Sequence, residues 1–411
     1  MCTHWMMWPN ELVVFAPRGL RVHYAMKANA LPRLLCLLRD EGVGVDVVSL
    51  GEMQKALSLG FSPAKIIFSG VAKDREELLA AVQQEIYQIN IESFEELRHL
   101  AILAESRRNP GVGRFAGQYS TCRPPRIKYT NRHGRVQVRP GCPSTARSLS
   151  WLKARPQIQL KGLAVHIGSQ ILDVAAFANM SEKTGELYRD IKARGFPLER
   201  LDLGGGLGID YHSSGAEDFG RLDRYLTAVT RGHGTDARIH LEPGRFLVAR
   251  MGVLLAKVVY IKRGVERTFA VLNAGMNALM RPSLYQAYHR IEPLSPRTKE
   301  REVYSVVGPI CESTDTFAEA REMPKLEAGD WVAVFDAGAY GASMANTYNE
   351  SPFPEQWSVF DDHWRYYEAC HFDFSEGPVH TFALDAFDLC FHLVFVADGR
   401  LFARHGFALL A

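Results

Sequence analysis

Residues 22–48 read VHYAMKANALPRLLCLLRDEGVGVDVV, and this stretch decides the fold. Val22 to Met26 is a short apolar run that stops at Lys27-Ala28-Asn29, the length and composition of a buried strand. Leu31 to Arg39 carries leucines at helical spacing and predicts a helix. Val45 to Val48 is a second β-branched run. Strand, crossover helix and strand in so short a span make a βαβ unit, whose strands run parallel and are covered on both faces.

Outward from this unit the pattern repeats. Strands are predicted at Lys65–Phe68, Tyr87–Ile91, Gly162–His166, Leu201–Leu203 and Arg238–Leu241. Helices are predicted at Gly51–Leu59, Asp74–Gln84, Phe94–Glu105, Glu182–Arg194 and Leu222–Thr230. The early strands start about 22 residues apart. Seven strands are counted, and an eighth would fall in the gap before Gly162, where only Val136–Val138 reads as a strand. Eight strand–helix units make a (β/α)8 TIM-like barrel, although an open doubly wound sheet shares the rhythm. Beyond Arg245, Phe246–Ile261, Glu302–Val307 and Asp330–Phe335 read as strands without amphipathic helices between them. The expected division is a barrel over residues 1–245 and a mostly β C-terminal domain over residues 246–411.

Composition narrows the function classes. With 411 residues, 47% apolar and 23% charged, the chain can bury a sizeable core. A net charge of +2 points to neither nucleic acid nor an anionic membrane. The seven cysteines form no C-x-x-C pair, so a metal site or disulfide framework is not expected and a reducing cytoplasm fits best. No apolar run approaches membrane-span length, and MCTHWMMWPNEL does not read as a signal peptide.

Four chemical motifs fall at the carboxyl ends of predicted parallel strands, where barrel enzymes assemble their sites. Lys27 follows the first strand; a partly desolvated lysine loses its proton readily and condenses with a carbonyl cofactor, though alone it also reads as a snorkelling surface side chain. His166-Ile167-Gly168-Ser169-Gln170 offers an imidazole and a hydroxyl, and a lone histidine is also a common core residue. Gly204-Gly205-Gly206 presents bare backbone N–H groups suited to a phosphate, or simply a tight turn. Glu242-Pro243-Gly244-Arg245 sets a carboxylate beside a cation. Later, Gly308-Pro309-Ile310-Cys311-Glu312-Ser313-Thr314-Asp315 pairs a thiol with carboxylates, and Asp336-Ala337-Gly338-Ala339-Tyr340-Gly341 presents a tyrosine between small residues.

The ordered set Y-A-x-K-A-N, H-I-G-S-Q, G-G-G, E-P-G-R, G-P-x-C-E-S-x-D and D-A-G-A-Y-G resembles the fold-type III pyridoxal-phosphate decarboxylases, over about residues 20–106 and 157–349. Cys311-Glu312-Ser313 and Arg281-Pro282-Ser283-Leu284-Tyr285 resemble the diaminopimelate branch; the ornithine and arginine branches usually differ after the cysteine. The resemblance implies an alanine-racemase-like barrel and decarboxylation of meso-diaminopimelate to lysine, with an ornithine- or arginine-type enzyme or an impaired homologue as the alternatives. It implies that Lys27 carries pyridoxal 5'-phosphate, that His166 stacks on its ring, and that Ser169 and Gly204, Gly205 and Gly206 hold its phosphate. Glu242, followed by Pro243 and Gly244, would meet the ring nitrogen, and Arg245 would reach phosphate or substrate. Arg281 and Tyr285 would bind the distal end of an amino-acid substrate, Glu312 its second amino group, and Tyr340 both cofactor and substrate. Cys311 would donate a proton across a homodimer interface with shared active sites.

Two stretches depart from the family pattern. Residues 107–156 contain twelve Lys or Arg and no Asp or Glu, and they lack the family's H-x-K-I-x-T-G and K-F-G segments. The aromatic-rich tail, residues 350–411, does not resemble the closing strands of the family's β domain. Both read as replaced or frame-altered sequence, from which an incomplete barrel with open strand edges is expected.

Overall fold

The structure, a computed structural model, describes residues 19–106, 115–120, 143–155, 158–213, 215, 217–360, 363–367 and 391–396. They divide into two compact units. One holds the chain up to Ile209 together with Glu217–Phe246; the other holds the short segment beginning at Asp210 and the chain from Leu247 onward.

In the first unit, β1 (Arg21–Ala25), β2 (Gly44–Val47), β3 (Ile66–Phe68), β4 (Gln88–Ile91), β5 (Phe115–Ser120), β6 (Ile158–Ala164), β7 (Arg200–Asp202) and β8 (Arg238–Leu241) form a closed barrel in sequence order. β1 pairs in parallel with both β2 and β8, so the sheet has no free edge. The expected gap in the barrel is therefore filled. β5 pairs with β4 on one side and β6 on the other. Its sequence, FAGQYS, is no continuous β-branched run, and neighbours on both sides impose the extended form that local propensity does not demand. The strand expected at Val136–Val138 lies outside the described residues.

Helices between the strands follow their local signals. Ser49 accepts from Glu52 N to cap Leu50–Ser58, and Asp74 and Glu77 form a reciprocal capping box on Arg75–Gln83. The helix expected from Glu182 starts earlier, at Val174, where Asp173 accepts from Ala175 N at 2.9 Å. The barrel floor is aromatic. His23, Tyr87 and His240 lie with ring planes within 16° of one another and centroids 5.2 to 5.8 Å apart. His23 donates Nδ1–H to Lys65 O at 3.2 Å, and the Arg200 guanidinium sits 4.2 Å from the Tyr87 ring. Burial pushes the His23 imidazole down from 6.5 to about 4 and lowers His240 further.

The second unit is a β-sheet built around a long strand, β9 (Gly252–Arg263). With β10 (Thr268–Leu272), β11 (Ile291–Pro293), β12 (Arg301–Val307), β13 (Thr316–Pro324), β14 (Trp331–Val334), β15 (Glu355–Phe360), β16 (His363–Tyr367) and β17 (Phe391–Val396) it runs in the order β13-β12-β10-β9-β17-β15-β16. β14 also pairs with β9, and β11 with β14. Two expectations change here. The strand predicted from Phe246 begins only at Gly252, after helical turns at Arg245–Val248 and Ala249–Met251. The aromatic tail supplies β15, β16 and β17, because aromatic and β-branched residues suit paired strands whether or not they match a motif.

Candidate active site

The barrel unit brings its motif residues together at the carboxyl ends of the strands. Lys27 lies in the 3-10 turn Met26–Ala28 directly after β1. Its Nζ is 3.3 Å from Asp46 Oδ2 on β2, and the lysine side chain is 39% exposed while Asp46 is wholly buried. Pro243 and Gly244 tie the end of β8 to this turn. Pro243 O accepts from Ala25 N at 3.1 Å, and a Cβ on Gly244 would lie 3.0 Å from that of Ala28.

Behind Lys27 is a buried acid cluster. Asp202 ends β7 and Glu242 follows β8; both are buried, and the charge of one acts on the other. Burial raises Asp202 to about 6. Burial, and then the charges of Asp202 and Asp46, push Glu242 well above the usual carboxylate range, with Lys27 opposing. Gly204 N donates to Asp202 Oδ1 at 3.0 Å and Gln88 Nε2 to Asp202 Oδ2 at 3.3 Å. Asn90 Nδ2 donates to Ser69 Oγ at 2.9 Å, and both reach Glu242 Oε1 through long contacts of 3.5 and 3.4 Å.

The loops after β6, β7 and β8 pack backbone to backbone. A Cβ on Gly205 would fall 2.1 Å from Glu242 O, and one on Gly206, at φ +101°, would fall 2.4 Å from Gly168 O. Gly205 N donates to His166 Nδ1 at 3.4 Å, and the Arg245 guanidinium donates to Ser169 Oγ at 3.2 Å. His166 and Ser169 are exposed. A guanidinium, an accessible hydroxyl and side-chain-free amides are the donor set of an anion site.

These groups fit a phosphorylated pyridine aldehyde. Lys27 supplies the amine, and the loops after β6 to β8 supply the phosphate donors. The buried acid pair is a partner for a protonated ring nitrogen, whose positive charge would relieve the crowding of carboxyl groups.

The remaining candidates lie in the second unit. Cys311 and Glu312 are exposed on the loop after β12. That loop is shaped by buried Asp315, which accepts from Met276 N at 2.6 Å and Ile310 N at 2.7 Å, while Cys311 N donates to Asn349 Oδ1 at 2.7 Å. Tyr340, half-buried, has φ +60°, a left-handed conformation enriched at functional sites. Arg281 is only 4% exposed, whereas Tyr285 on the same short helix is 55% exposed. Arg281 donates to His289 Nε2 at 2.7 Å and lies over the Tyr211 ring at 4.6 Å.

Sequence reasoning missed Asp46, Asp202, Asn90, Gln88 and Ser69. The available signal was an acid or amide inside an apolar strand: Asp46 within Val45–Val48, Asp202 between two leucines, and Asn90 between two isoleucines. An unexplained polar group in a buried strand needs a partner.

Residues 3–249 match the family model described as "Pyridoxal-dependent decarboxylase, pyridoxal binding domain". The diaminopimelate decarboxylase of Zymomonas mobilis is 37% identical, over 80% of this chain and 78% of its own length. That of Bacteroides thetaiotaomicron is 36% identical, over 81% and 87%. A crystal structure of diaminopimelate decarboxylase from Helicobacter pylori complexed with L-lysine superposes with a TM-score of 0.75 at 32% identity, covering 87% of this chain and 91% of that one. A lysine/ornithine decarboxylase from Vibrio vulnificus shares the fold at 20% identity and a TM-score of 0.71.

Proposed function

We infer that this chain, which belongs to the pyridoxal-dependent decarboxylase family, is a carboxy-lyase that removes CO2 from meso-2,6-diaminopimelate and leaves L-lysine. The observation that carries the reading is the meeting of Lys27, the Asp202–Glu242 acid pair and the glycine loops at one end of a closed barrel. The relatives' shared specificity supplies the substrate.

Pyridoxal phosphate, when bound, supplies an electron sink for the pair of electrons left by departing CO2. The chain's own residues bind, orient and move protons. Lys27 would hold the aldehyde through its amine, with Asp46 orienting the side chain. Glu242 would face the ring nitrogen and keep it charged. His166 covers the ring face. Ser169, Arg245 and the loop Gly204, Gly205 and Gly206, whose lack of side chains leaves room for it, would hold the phosphate. Cys311 delivers a proton to the α-carbon, and its exposed thiol suits a role across a dimer interface. Glu312 takes the distal ammonium, Arg281 and Tyr285 the distal carboxylate end, and Tyr340 touches both cofactor and substrate. Charged ends left unpaired would exclude simpler amino acids. No described helix is long and apolar enough to cross a membrane, and with the cysteine usage this supports a cytoplasmic enzyme.

Purified protein with added pyridoxal phosphate should release CO2 from meso-diaminopimelate and not from ornithine or arginine. Release from ornithine alone would replace the substrate assignment. Mixing Lys27→Ala with Cys311→Ala protein should restore part of the activity that each lacks, since a hybrid dimer with shared sites regains one intact centre. Failure of the mixture would place Lys27 and Cys311 of each site on one chain.

A further inference from the structure

Arg281 is held by an arrangement that the motif did not announce. It opens the short helix Arg281–Tyr285 and donates to His289 Nε2 at 2.7 Å. The same imidazole meets Phe335 O through Nδ1 at 2.8 Å. A carbonyl only accepts and a guanidinium only donates, so Nδ1 carries the hydrogen and Nε2 the lone pair. His289 is thus a neutral ring in one fixed tautomer. Tyr211 completes the grip: its ring lies 4.6 Å from the Arg281 guanidinium and meets His289 edge-to-face at 5.2 Å and 69°. The backbone of His289 is pinned in turn, its carbonyl accepting from Arg321 at 2.9 Å. His289 is fully buried, so the ring cannot swing away into water.

We propose that His289 is a positioning residue for substrate binding: with Tyr211 it aims the Arg281 guanidinium at the distal carboxylate of the substrate. This rests on the assignment of Arg281 to that carboxylate. A carboxylate in the place of His289 would form an ion pair and compete with the substrate. A neutral acceptor fixes the planar fork and adds no negative charge of its own, which is the value of a preorganised arginine. A water-exposed arginine would instead lose side-chain freedom each time substrate bound. The proposal adds no group to the chemical step; it sets affinity and selectivity.

His289→Phe keeps a ring against Tyr211 and removes the acceptor. It should raise KM for meso-diaminopimelate about ten- to a hundredfold, as expected for a charged donor losing its partner. kcat should fall far less, and the visible absorbance of bound pyridoxal phosphate should persist. Inhibition by L-lysine, which keeps the distal amino-carboxylate end, should weaken in parallel, whereas inhibition by cadaverine, which has no carboxylate, should not. His289→Gln, whose carbonyl reaches the position of Nε2, should recover most of the affinity. His289→Asn, too short to reach, should not. If the Phe variant does not fold, the Gln and Asn pair carries the test alone, and equal KM values for those two overturn the proposal. Arg281→Gln separates this failure from that of the underlying assignment. A raised KM in Arg281→Gln with an unchanged KM in His289→Phe rejects His289 and keeps Arg281. An unchanged KM in both removes Arg281 from the substrate site, and the proposal falls with it.

Discussion

An ionised acid inside a buried strand is costly unless a cation faces it, and for Asp46 that cation is Lys27 at 3.3 Å. The pairing fixes where the lysine side chain lies, so Asp46→Asn should loosen it. Pyridoxal phosphate should bind the apo-protein about tenfold more weakly, read by absorbance; unchanged binding would show that the pair does not position Lys27. On the barrel floor the sign runs with buried histidines. His23 titrates near 6.5 when unfolded and at about 4 when folded. The unfolded chain therefore binds the extra proton between those values. The stabilisation from neutral His23 is present above 6.5 and is lost as pH falls through about 4, up to about 3 kcal/mol. His23→Gln should flatten the acid limb of the unfolding free energy measured with denaturant, and an unchanged limb would exclude His23 as its source. Lys27 and Glu242 were legible because each sits in a contiguous motif at a strand end. Asp46, Asp202 and Asn90 were not, because three separate strands assemble them and only closure of the barrel makes them neighbours.

Elements rather than side chains make the anion loops. Gly205 has no room for a Cβ because Glu242 O would lie 2.1 Å away. Gly205→Ala must push the β7 and β8 loops apart and should weaken pyridoxal phosphate binding more than tenfold in an absorbance titration. Gly51→Ala is the control: it lies in the helix Leu50–Ser58, where a Cβ would meet only Ser49 Oγ at an ordinary 3.9 Å, and it should bind normally, with slightly higher stability. Normal binding by both variants would remove the tight loop packing from the account. The strands that were readable, β1 to β4, carry dense apolar runs. β5 was unreadable because pairing on both sides, not its own composition, makes FAGQYS extended. The same holds for β15 to β17, where an unfamiliar sequence hid an ordinary ladder.

At the level of the whole molecule, β5 turns an expected open sheet into a closed one. Gln118 pairs with Asn90 on β4 and Gly162 on β6, and a proline there would remove a donor from the middle of the ladder. Gln118→Pro should lower stability by about 3 kcal/mol or more and drive the protein into aggregates on size-exclusion chromatography. A monodisperse variant of unchanged stability would mean that β5 does not close the barrel. The two units also differ in when they can be finished. The barrel has all eight strands by Leu241, whereas β9 waits for β17, which ends at Val396 and lies between β9 and β15. During synthesis the barrel can therefore assemble while the sheet still has a vacant slot at its centre. A ribosome paused shortly before Phe391 should carry a protease-resistant barrel joined to an unfinished sheet, so the late codons govern how long that exposed intermediate lasts.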